Sequence, residues 1–340
     1  MQCDALIESS GVNPKAPSGW GPPGLEAAYN LPSSKNGSGQ IVAIVDAFDN
    51  PNVASDLAEY RSTYGLPAAN FFKYNQRGQQ KNYPPPNSGW GFEIDLDVEM
   101  VSASCPLCTI YLIEADDGKK TNLYPAEAEA VKLGAHIVSN SWGGSVRDAG
   151  GSSHGDFRTP GVVYLASAGD KGYGMEDPAD FPMVISVGGT FLSVNHSKYS
   201  EAVWTETGGG CSVEAKPSWQ HDPSCAQRTG NDVAAVAASV AVYDTYDSGG
   251  WEIGDGTSVS SPLIAGAYGL AGNADKQDFG KRLWTLSKSE LKKDLHVIRN
   301  GNDRCPRKLA GSYLCTAGTG QYGTYAGPTG WGTPNGIGAF

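Results

Sequence analysis

A serine beside a predicted turn is the strongest candidate in this chain for a catalytic residue. Ser258 lies in the stretch GTSVSSP, residues 256–262, and an apolar run rich in small residues follows it. Gly256 permits a backbone shape that residues with a Cβ resist, so the pattern predicts a tight turn that opens onto a buried helix. Unpaired N–H groups at a helix N-terminus favour developing negative charge. Ser258 is therefore a candidate nucleophile, and the ordinary alternative is a serine that only caps the helix.

A nucleophilic serine needs a base, and the usual base is a histidine. The chain has five histidines. His221 stands beside Asp222 near a proline, and His196 stands between Asn195 and Ser197, so both patterns indicate polar surface loops. None of the five occupies a glycine-rich motif at a helix start. The sequence therefore gives poor support to a histidine triad.

An acidic segment offers a different base. Residues 91–101 (GFEIDLDVEMV) mix apolar and acidic residues at helical spacing and contain no proline. Glu93 and Asp97 fall on one helix face, and Asp95 and Glu99 fall on another. Two carboxyls held together in a desolvated site share a proton, and such a pair can accept the proton of a serine at acidic pH. Spacing alone does not choose between the two pairs, and a solvated acidic helix face is the alternative.

Three motifs in a fixed order decide between these alternatives. The motif EIDLD at residues 93–97, the motif SAGD at residues 167–170 and the GTSVSSP stretch together resemble the sedolisin family of serine-carboxyl peptidases. The resemblance continues through VSNSWGG at 138–144, VGGT at 187–190 and TGWGTP at 329–334, and it covers nearly the whole chain. It implies a subtilisin-like fold and an acid-active endopeptidase.

The resemblance also implies a role for each site residue. Ser258 would attack the scissile carbonyl, and Glu93 would take its proton as general base. Asp97 would hold Glu93 in place. Asp170, together with the Ser258 backbone N–H, would donate a hydrogen bond to the oxyanion. This donation requires a protonated Asp170, and the aspartate would therefore restrict activity to acidic pH.

Further positions carry weaker signals. The resemblance implies that Trp142 and Gly143 bind substrate, and that Asp180 belongs to a substrate-side-chain pocket, although an aspartate that caps a turn fits Asp180 equally well. Asp46 resembles the aspartate that ends the first strand of subtilisin-like proteases. Because the histidine that it would orient is missing, we interpret Asp46 as structural.

The chain departs from the family at its calcium site. Sedolisins usually carry such a site near the C-terminus, with two aspartate side chains among its ligands. Val297 and Ala326 occupy the two expected aspartate positions, and Asp303 is displaced by six residues from Val297. Since Ca²⁺ needs oxygen ligands that usually include carboxylates, we expect no cofactor and no metal, or only weak calcium binding.

Composition restricts the partners. The net charge is -11, which argues against nucleic acid, and no apolar run approaches the ~20 residues that a membrane span needs. Met1 is not followed by a signal peptide, so we expect either a mature form or a chain from which the leader has been removed. The resemblance implies a long N-terminal prosegment, an inhibitor and folding aid, as a partner before maturation, and we expect it to be absent from this mature form. We expect a monomer that acts on polypeptide substrates.

Seven cysteines leave one without a partner. Cys211 with Cys225, and Cys305 with Cys315, each close a short loop rich in turn residues, and both pairs are predicted disulfides. The CPLC motif at residues 105–108 predicts a third disulfide, with a redox or zinc site as the alternative. Cys3 is left over, either free or paired with one of the others. Disulfides imply an oxidising compartment, so we expect a secreted, extracellular protein.

Strand and helix signals alternate along the chain. Apolar runs at 40–46, 109–115, 136–140, 162–166 and 183–187 predict strands, and residues 52–64, 91–104 and 124–133 predict helices. This alternation predicts one α/β domain, residues 1–340, with a parallel sheet flanked by helices on both faces. Residues 1–40 are rich in Pro, Gly and Ser and are predicted to wrap the surface, and residues 66–90 are predicted to form a long loop.

Two other functional classes remain compatible with the sequence. One is a catalytically weak or inactive relative that binds peptides in the same groove. The other is a conventional neutral serine protease, which a rate maximum near pH ~8 would reveal.

Overall fold

The computed structural model describes residues 1–7, 15–146, 152–246 and 248–340. Its strands, in chain order, are β1 Gln2–Cys3, β2 Leu6–Ile7, β3 Ile41–Ala47, β4 Asn70–Asn75, β5 Thr109–Ala115, β6 Ile137–Asn140, β7 Trp142–Ser145, β8 Val163–Ser167, β9 Glu176–Asp177, β10 Val184–Asn195, β11 Lys198–Val203, β12 Gly210–Cys211, β13 Thr229–Gly230, β14 Val233–Val236, β15 Val240–Asp244, β16 Gly250–Asp255, β17 Leu295–His296 and β18 Thr333–Pro334.

The helices of the described residues are α1 Pro22–Tyr29, α2 Val53–Thr63, α3 Ser88–Ser104, α4 Lys120–Lys132, α5 Thr257–Ala271, α6 Lys281–Thr285 and α7 Lys288–Asp294. Short 3-10 helices cover Ser152–Phe157, Ala274–Lys276 and Arg307–Leu309. No helix within the described ranges is both long and apolar enough to cross a bilayer.

The central sheet has eight strands. Seven follow the order β11-β10-β8-β6-β3-β5-β4, and β14 pairs with β10 beside them. Every pair is parallel except β10 with β11. Two of the smaller sheets matter for the site. In one, β1 pairs with β7 and β7 pairs with β9; in another, β2 extends the pair β15–β16.

Strand β3 shows how the sheet separates two hydrophobic cores. Side chains alternate between the two faces of a strand. Val42 and Ile44 belong to one core, which includes residues of α1, α2, α3 and α5. Ala43 and Val45 belong to the other, which includes residues of α4. Both faces of the sheet are therefore covered, and the predicted α/β domain with helices on both faces is confirmed.

Most predicted elements lie where the apolar runs indicated, but two regions differ. The predicted loop at 66–90 contains the edge strand β4, whose alternating residues pair with β5. The predicted surface segment 1–40 contains α1, where Leu25 and Tyr29 are buried in the first core. Its first residues pair with β7 and β16 rather than wrap the outside.

The cysteine predictions hold. Cys105–Cys108, Cys211–Cys225 and Cys305–Cys315 form disulfides, and Cys3 is free. The redox or zinc alternative for the CPLC motif is therefore not what the structure has.

Candidate active site

The turn before α5 presents Ser258. Gly256 has a φ of 125°, a conformation that favours glycine, and Ser258 is the second residue of the helix that follows. Pro262 has no N–H to donate to the Ser258 carbonyl four residues earlier. The Ser141 hydroxyl donates to that carbonyl instead, at 3.3 Å. The Ser258 carbonyl therefore has a hydrogen-bond partner, although Pro262 cannot supply one.

The hydroxyl of Ser258 is buried and donates to the Ser141 carbonyl over a long 3.4 Å. The Ser258 side chain also faces Glu93, and this interaction opposes the rise in the pKa of that carboxyl. No hydrogen bond joins Ser258 to His136, His196, His221 or His296, and His196 and His221 are exposed. Glu93 is therefore the side chain that could act as a base toward Ser258.

Helix α3 carries the acidic residues into the protein. The Asn87 side chain accepts the Trp90 N–H at 3.2 Å and so caps the start of the helix. Every residue from Trp90 to Ser104 is buried. The alternative of a solvated acidic face is wrong.

The two acid pairs on α3 have different surroundings. Asp95 accepts a 2.6 Å hydrogen bond from Asn50, and Glu99 accepts one of 3.0 Å from the Tyr243 N–H. On the other face, the charge of Asp97 raises the cost of ionising Glu93, and Ser258 interacts with Glu93. The structure therefore brings Glu93, and not Asp95 or Glu99, to the serine.

Burial is the main cause of the pKa values in this group. Burial first, and then the charge of Asp97, raise the pKa of Glu93 well above its usual range. Burial and the charge of Asp46 raise the pKa of Asp97, while Ser141 opposes that rise. Burial raises the pKa of Asp46 to about 8. These carboxyls cannot all ionise together, so they share protons over a wide pH range.

Asp46 is the member of this group that we had interpreted as structural. It lies at the end of β3 and is fully buried, and its two oxygens have no hydrogen-bond partner among the described residues. Its charge acts on both Glu93 and Asp97. The only signal in the sequence was an acid that ends an apolar strand, and that signal does not tell which helix faces it.

Asp170 follows β8 and reaches the start of α5. Its Oδ1 accepts the backbone N–H and the hydroxyl of Thr257, each at 2.8 Å, whereas Oδ2 has no hydrogen-bond partner in the described part of the chain. Burial raises the pKa of Asp170 to about 7, and the bonds from Thr257 oppose the rise. Below that pH Asp170 carries a proton, and Oδ2 is the oxygen free to donate it.

The three predicted substrate-binding residues differ in what they offer. Trp142 buries its side chain and donates from Nε1 to the Val45 carbonyl at 2.7 Å, and its backbone pairs with Cys3 of β1. A Cβ on Gly143 would lie 2.3 Å from Oε2 of Glu176, so the glycine leaves room for that carboxylate beside β7. Asp180 is fully buried and accepts a 3.0 Å bond from Ser212, and burial raises its pKa to about 8.

The two positions where the resemblance implies calcium-binding aspartates hold apolar residues. Ala326 lies in a hydrophobic cluster with Val203, Ile298 and Ala317, and Val297 is half-buried. Asp303 is buried beside the Cys305–Cys315 disulfide, and its carboxylate has no hydrogen-bond partner within the described ranges. A hard cation finds no carboxylate at Val297 or Ala326, so these residues do not fit calcium.

A second cluster of acids lies on the other side of α3. The carboxylates of Asp56, Asp95 and Asp244 lie within 4.8 Å of one another. Asp56 accepts hydrogen bonds from Thr245, and Asp95 accepts one from Asn50. The bond from Asn50 engages Oδ2 of Asp95, whereas Oδ1 of Asp95 is buried and has no hydrogen-bond partner among the described residues.

Comparisons with known proteins show which family the chain resembles. The model of the subtilase family matches residues 90–301, which include the acidic helix and the serine. Kumamolisin from Bacillus sp. (strain MN-32) is 28% identical over 285 residues, which are 74% of this chain and 51% of that protein. Sedolisin from Pseudomonas sp. (strain 101) is 27% identical over 360 residues, covering 93% of this chain and 60% of that protein. The chain thus spans about half to three fifths of these relatives.

Solved structures share the fold. A complex of Pseudomonas sedolisin, a serine-carboxyl proteinase, with two molecules of pseudo-iodotyrostatin matches with a TM-score of 0.78 and 24% identity. The match covers 94% of this chain and 96% of that one. Sphericase matches with a TM-score of 0.57 and 18% identity over 93% of this chain and 97% of its own.

Proposed function

The chain belongs to the subtilase family, with the sedolisins as its relatives, and we propose that it is an acid-active serine-carboxyl endopeptidase. One observation carries the proposal. A buried serine at the start of a helix faces a buried carboxyl pair, and a third carboxyl, Asp170, reaches the same helix start with one free oxygen. No histidine among the described residues substitutes for the carboxyl pair.

The first step uses the α3 pair. Ser258 attacks the carbonyl carbon of the scissile bond, and Glu93 accepts the hydroxyl proton and later passes it to the leaving amine. Asp97 and Asp46 are positioning residues, since their charges set the share of Glu93 that is ionised. The long bond from Ser258 to the Ser141 carbonyl has to give way as Oγ turns toward Glu93, as is common before substrate is fully engaged.

The second part of the mechanism concerns the oxyanion. A tetrahedral intermediate places negative charge near the start of α5, where the backbone N–H of Ser258 is free of helical partners. Protonated Asp170 adds a second donor through Oδ2. Because the pKa of Asp170 is about 7, this donor is present in acid and lost as the pH rises above that value. The acid range of the enzyme follows from this residue.

The protein outside the site fits the same proposal. Three disulfides agree with a secreted enzyme that works in an oxidising compartment. We propose polypeptides as substrates, a prosegment as an earlier partner, a monomeric state and no calcium requirement.

A profile of hydrolysis rate against pH on a denatured protein substrate tests the function. We expect turnover near pH ~4 and a fall as the pH rises through about 7, where Asp170 loses its proton. The rate should also fall toward lower pH, because the raised pKa of Glu93 leaves ever less carboxylate to accept the Ser258 proton. A maximum near pH ~8 would identify a conventional serine protease. Failure to hydrolyse the substrate at any pH, with the fold intact by circular dichroism, would leave a relative that only binds peptides.

A further inference from the structure

A cavity of about 960 Å³ opens between helix α7 and the C-terminal segment of the chain. Leu286, Leu291 and Leu295, in or beside α7, line one side of it. Tyr322 and Trp331 line the other side, and the walls are mainly apolar. Cavities of this size and character are typical of sites for small molecules.

Local structure holds both walls in place. The Ser287 hydroxyl accepts the Glu290 N–H at 3.3 Å, and the Glu290 carboxylate accepts the Ser287 N–H at 2.7 Å, which forms a capping box at the start of α7. In the opposite wall, Trp331 packs against Trp284 and Tyr325, with ring centroids 5.4 Å and 5.2 Å apart. The cavity is therefore a preformed feature of the fold.

Positive charge surrounds these apolar walls. Lys288 and Lys292 lie four residues apart on one face of α7, and Arg299 lines the cavity from the segment after β17. Among the described residues, none forms a salt bridge with any of these three side chains, whereas Lys293 lies 3.4 Å from the Asp294 carboxylate. The described residues that line the cavity include no aspartate and no glutamate.

This concentration of positive charge contrasts with the rest of the chain, which has 36 acidic and 25 basic residues and a net charge of -11. The three cationic side chains are exposed, so they hold their charges in water at the rim of the cavity. A sugar would leave its hydroxyls without partners against the apolar walls. The cavity is instead complementary to a ligand with an apolar body and one negative head.

The cavity lies away from the reactive serine. The Trp331 N–H donates to the Asp232 carbonyl at 3.1 Å, just before β14 begins. The Gly256 N–H donates to the Ala237 carbonyl at 2.8 Å, just after β14 ends, and Ser258 follows two residues later. These two anchoring points lie at opposite ends of β14, roughly 16 Å apart along that strand. A ligand in the cavity therefore leaves the start of α5 free.

We propose that this cavity binds a fatty carboxylate, with the alkyl chain between α7 and Trp331 and the carboxylate at Lys288, Lys292 and Arg299. The two lysines and the arginine attract the head by charge and supply N–H donors to its oxygens. The alkyl chain gains free energy by leaving water, in proportion to the apolar area that it buries. The proposal goes beyond the peptidase function and does not depend on it.

Calorimetric titration of the whole chain with decanoate, at pH ~7 and below its micelle concentration, tests the class of ligand. At that pH the carboxylate and the lysines are all charged. We expect one saturable site per chain, with an affinity that rises from hexanoate to decanoate by up to about four-fold for each added CH₂. Decyltrimethylammonium has the same chain and the opposite charge, and it should bind at least ~10-fold more weakly. No saturable binding of decanoate, or equal binding of the cation, would overturn the proposal.

Two neighbouring lysines on α7 give a matched pair of variants. Lys292→Glu reverses a charge in the lining and should weaken decanoate binding at least ~10-fold. Lys293→Glu makes the same change outside the lining and should keep the affinity within about three-fold. Leu286→Gln places an amide in the apolar wall and should also weaken binding. Natural affinity in folded Lys292→Glu would show that the head does not lie at α7 and would overturn the assignment.

The outcome is separate from that for the proposed function, because binding is measured without turnover. Folded Ser258→Ala should bind decanoate with the natural affinity, since the cavity and the serine lie at opposite ends of β14. Loss of decanoate binding in that variant would place the ligand in the substrate groove and overturn this inference. A chain that binds decanoate as expected but hydrolyses no protein would contradict the peptidase function alone.

Discussion

The amide nitrogen of Ala5 lies 2.9 Å from Oε2 of Glu93, and the Ser258 side chain faces the same carboxyl. Glu93 therefore lies between a serine hydroxyl and a peptide nitrogen. A base in acyl transfer has to do just this, since it takes the proton from the first and gives it to the second.

Of the buried carboxyls on α3, only those on the face that points to Ser258 should be needed for catalysis. Glu93→Gln removes the group that exchanges the proton, and we expect kcat on a denatured protein to fall by ~10²–10⁴. Asp95→Asn is the matched control, because Asp95 is equally buried on the same helix but accepts from Asn50 instead of facing the serine. It should keep kcat within about ten-fold. The opposite ranking of the two variants would move the base to the other face.

Asp170 should set the alkaline limit of activity. Asp170→Ala removes an oxyanion donor, and kcat at pH ~4 should fall by ~10²–10³. Because the natural carboxyl ionises with a pKa of about 7, the difference between the two proteins should shrink above that pH. Asp303→Asn is the control, since burial also raises the pKa of Asp303 to about 7 but it lies beside a disulfide away from the serine. An Asp170→Ala variant with the natural profile would argue against the donor role.

The sequence predicts the elements better than the contacts between them. Helical spacing placed Glu93 and Asp97 on one face, and an apolar run placed Asp170 after a strand, because both patterns are local. The meeting of Asp46 with this pair depends on how β3 packs against α3, which no local pattern records. The position of the first residues depends on the pairing of β1 with β7, which joins residues far apart in the chain. The edge strand β4 was missed because the prolines at 84–86 indicated a loop over the whole stretch 66–90.

The free energy of unfolding should be larger at acidic pH than at neutral or alkaline pH. Burial raises the folded-state pKa of Asp46 and Asp180 to about 8 and that of Glu114 to about 9. Between the unfolded pKa near ~4 and these values, the folded protein binds protons that the unfolded chain has released, so stability falls as the pH rises. Each group contributes up to ~1.4 kcal/mol per pH unit in that window. Thermal unfolding of Ser258→Ala should give a higher Tm at pH ~4 than at pH ~8.

The same series has an internal check. Adding Asp46→Asn removes one buried carboxyl and should flatten the dependence of Tm on pH between about 4 and 8. A Tm that rises with pH across this range would contradict the assignment of protons to the buried carboxyls.

Calcium should not stabilise the protein. Ala326 packs among apolar side chains where the family has an aspartate, so a tight ion has no carboxylate to bind there. Thermal unfolding in added Ca²⁺ and in EGTA should give Tm values within about 1 °C of each other, because only an ion that binds the folded state raises stability. A shift of several degrees would show that other oxygens complete the site.

The central claim is that Ser258 is the nucleophile of an acid peptidase, and one comparison tests it most directly. The rate of hydrolysis of a denatured protein at pH ~4 is measured for the natural chain and for Ser258→Ala, with circular dichroism to show that both are folded. The account predicts measurable turnover by the first and a loss of at least ~10³-fold in the second. Turnover by folded Ser258→Ala at the natural rate would contradict it.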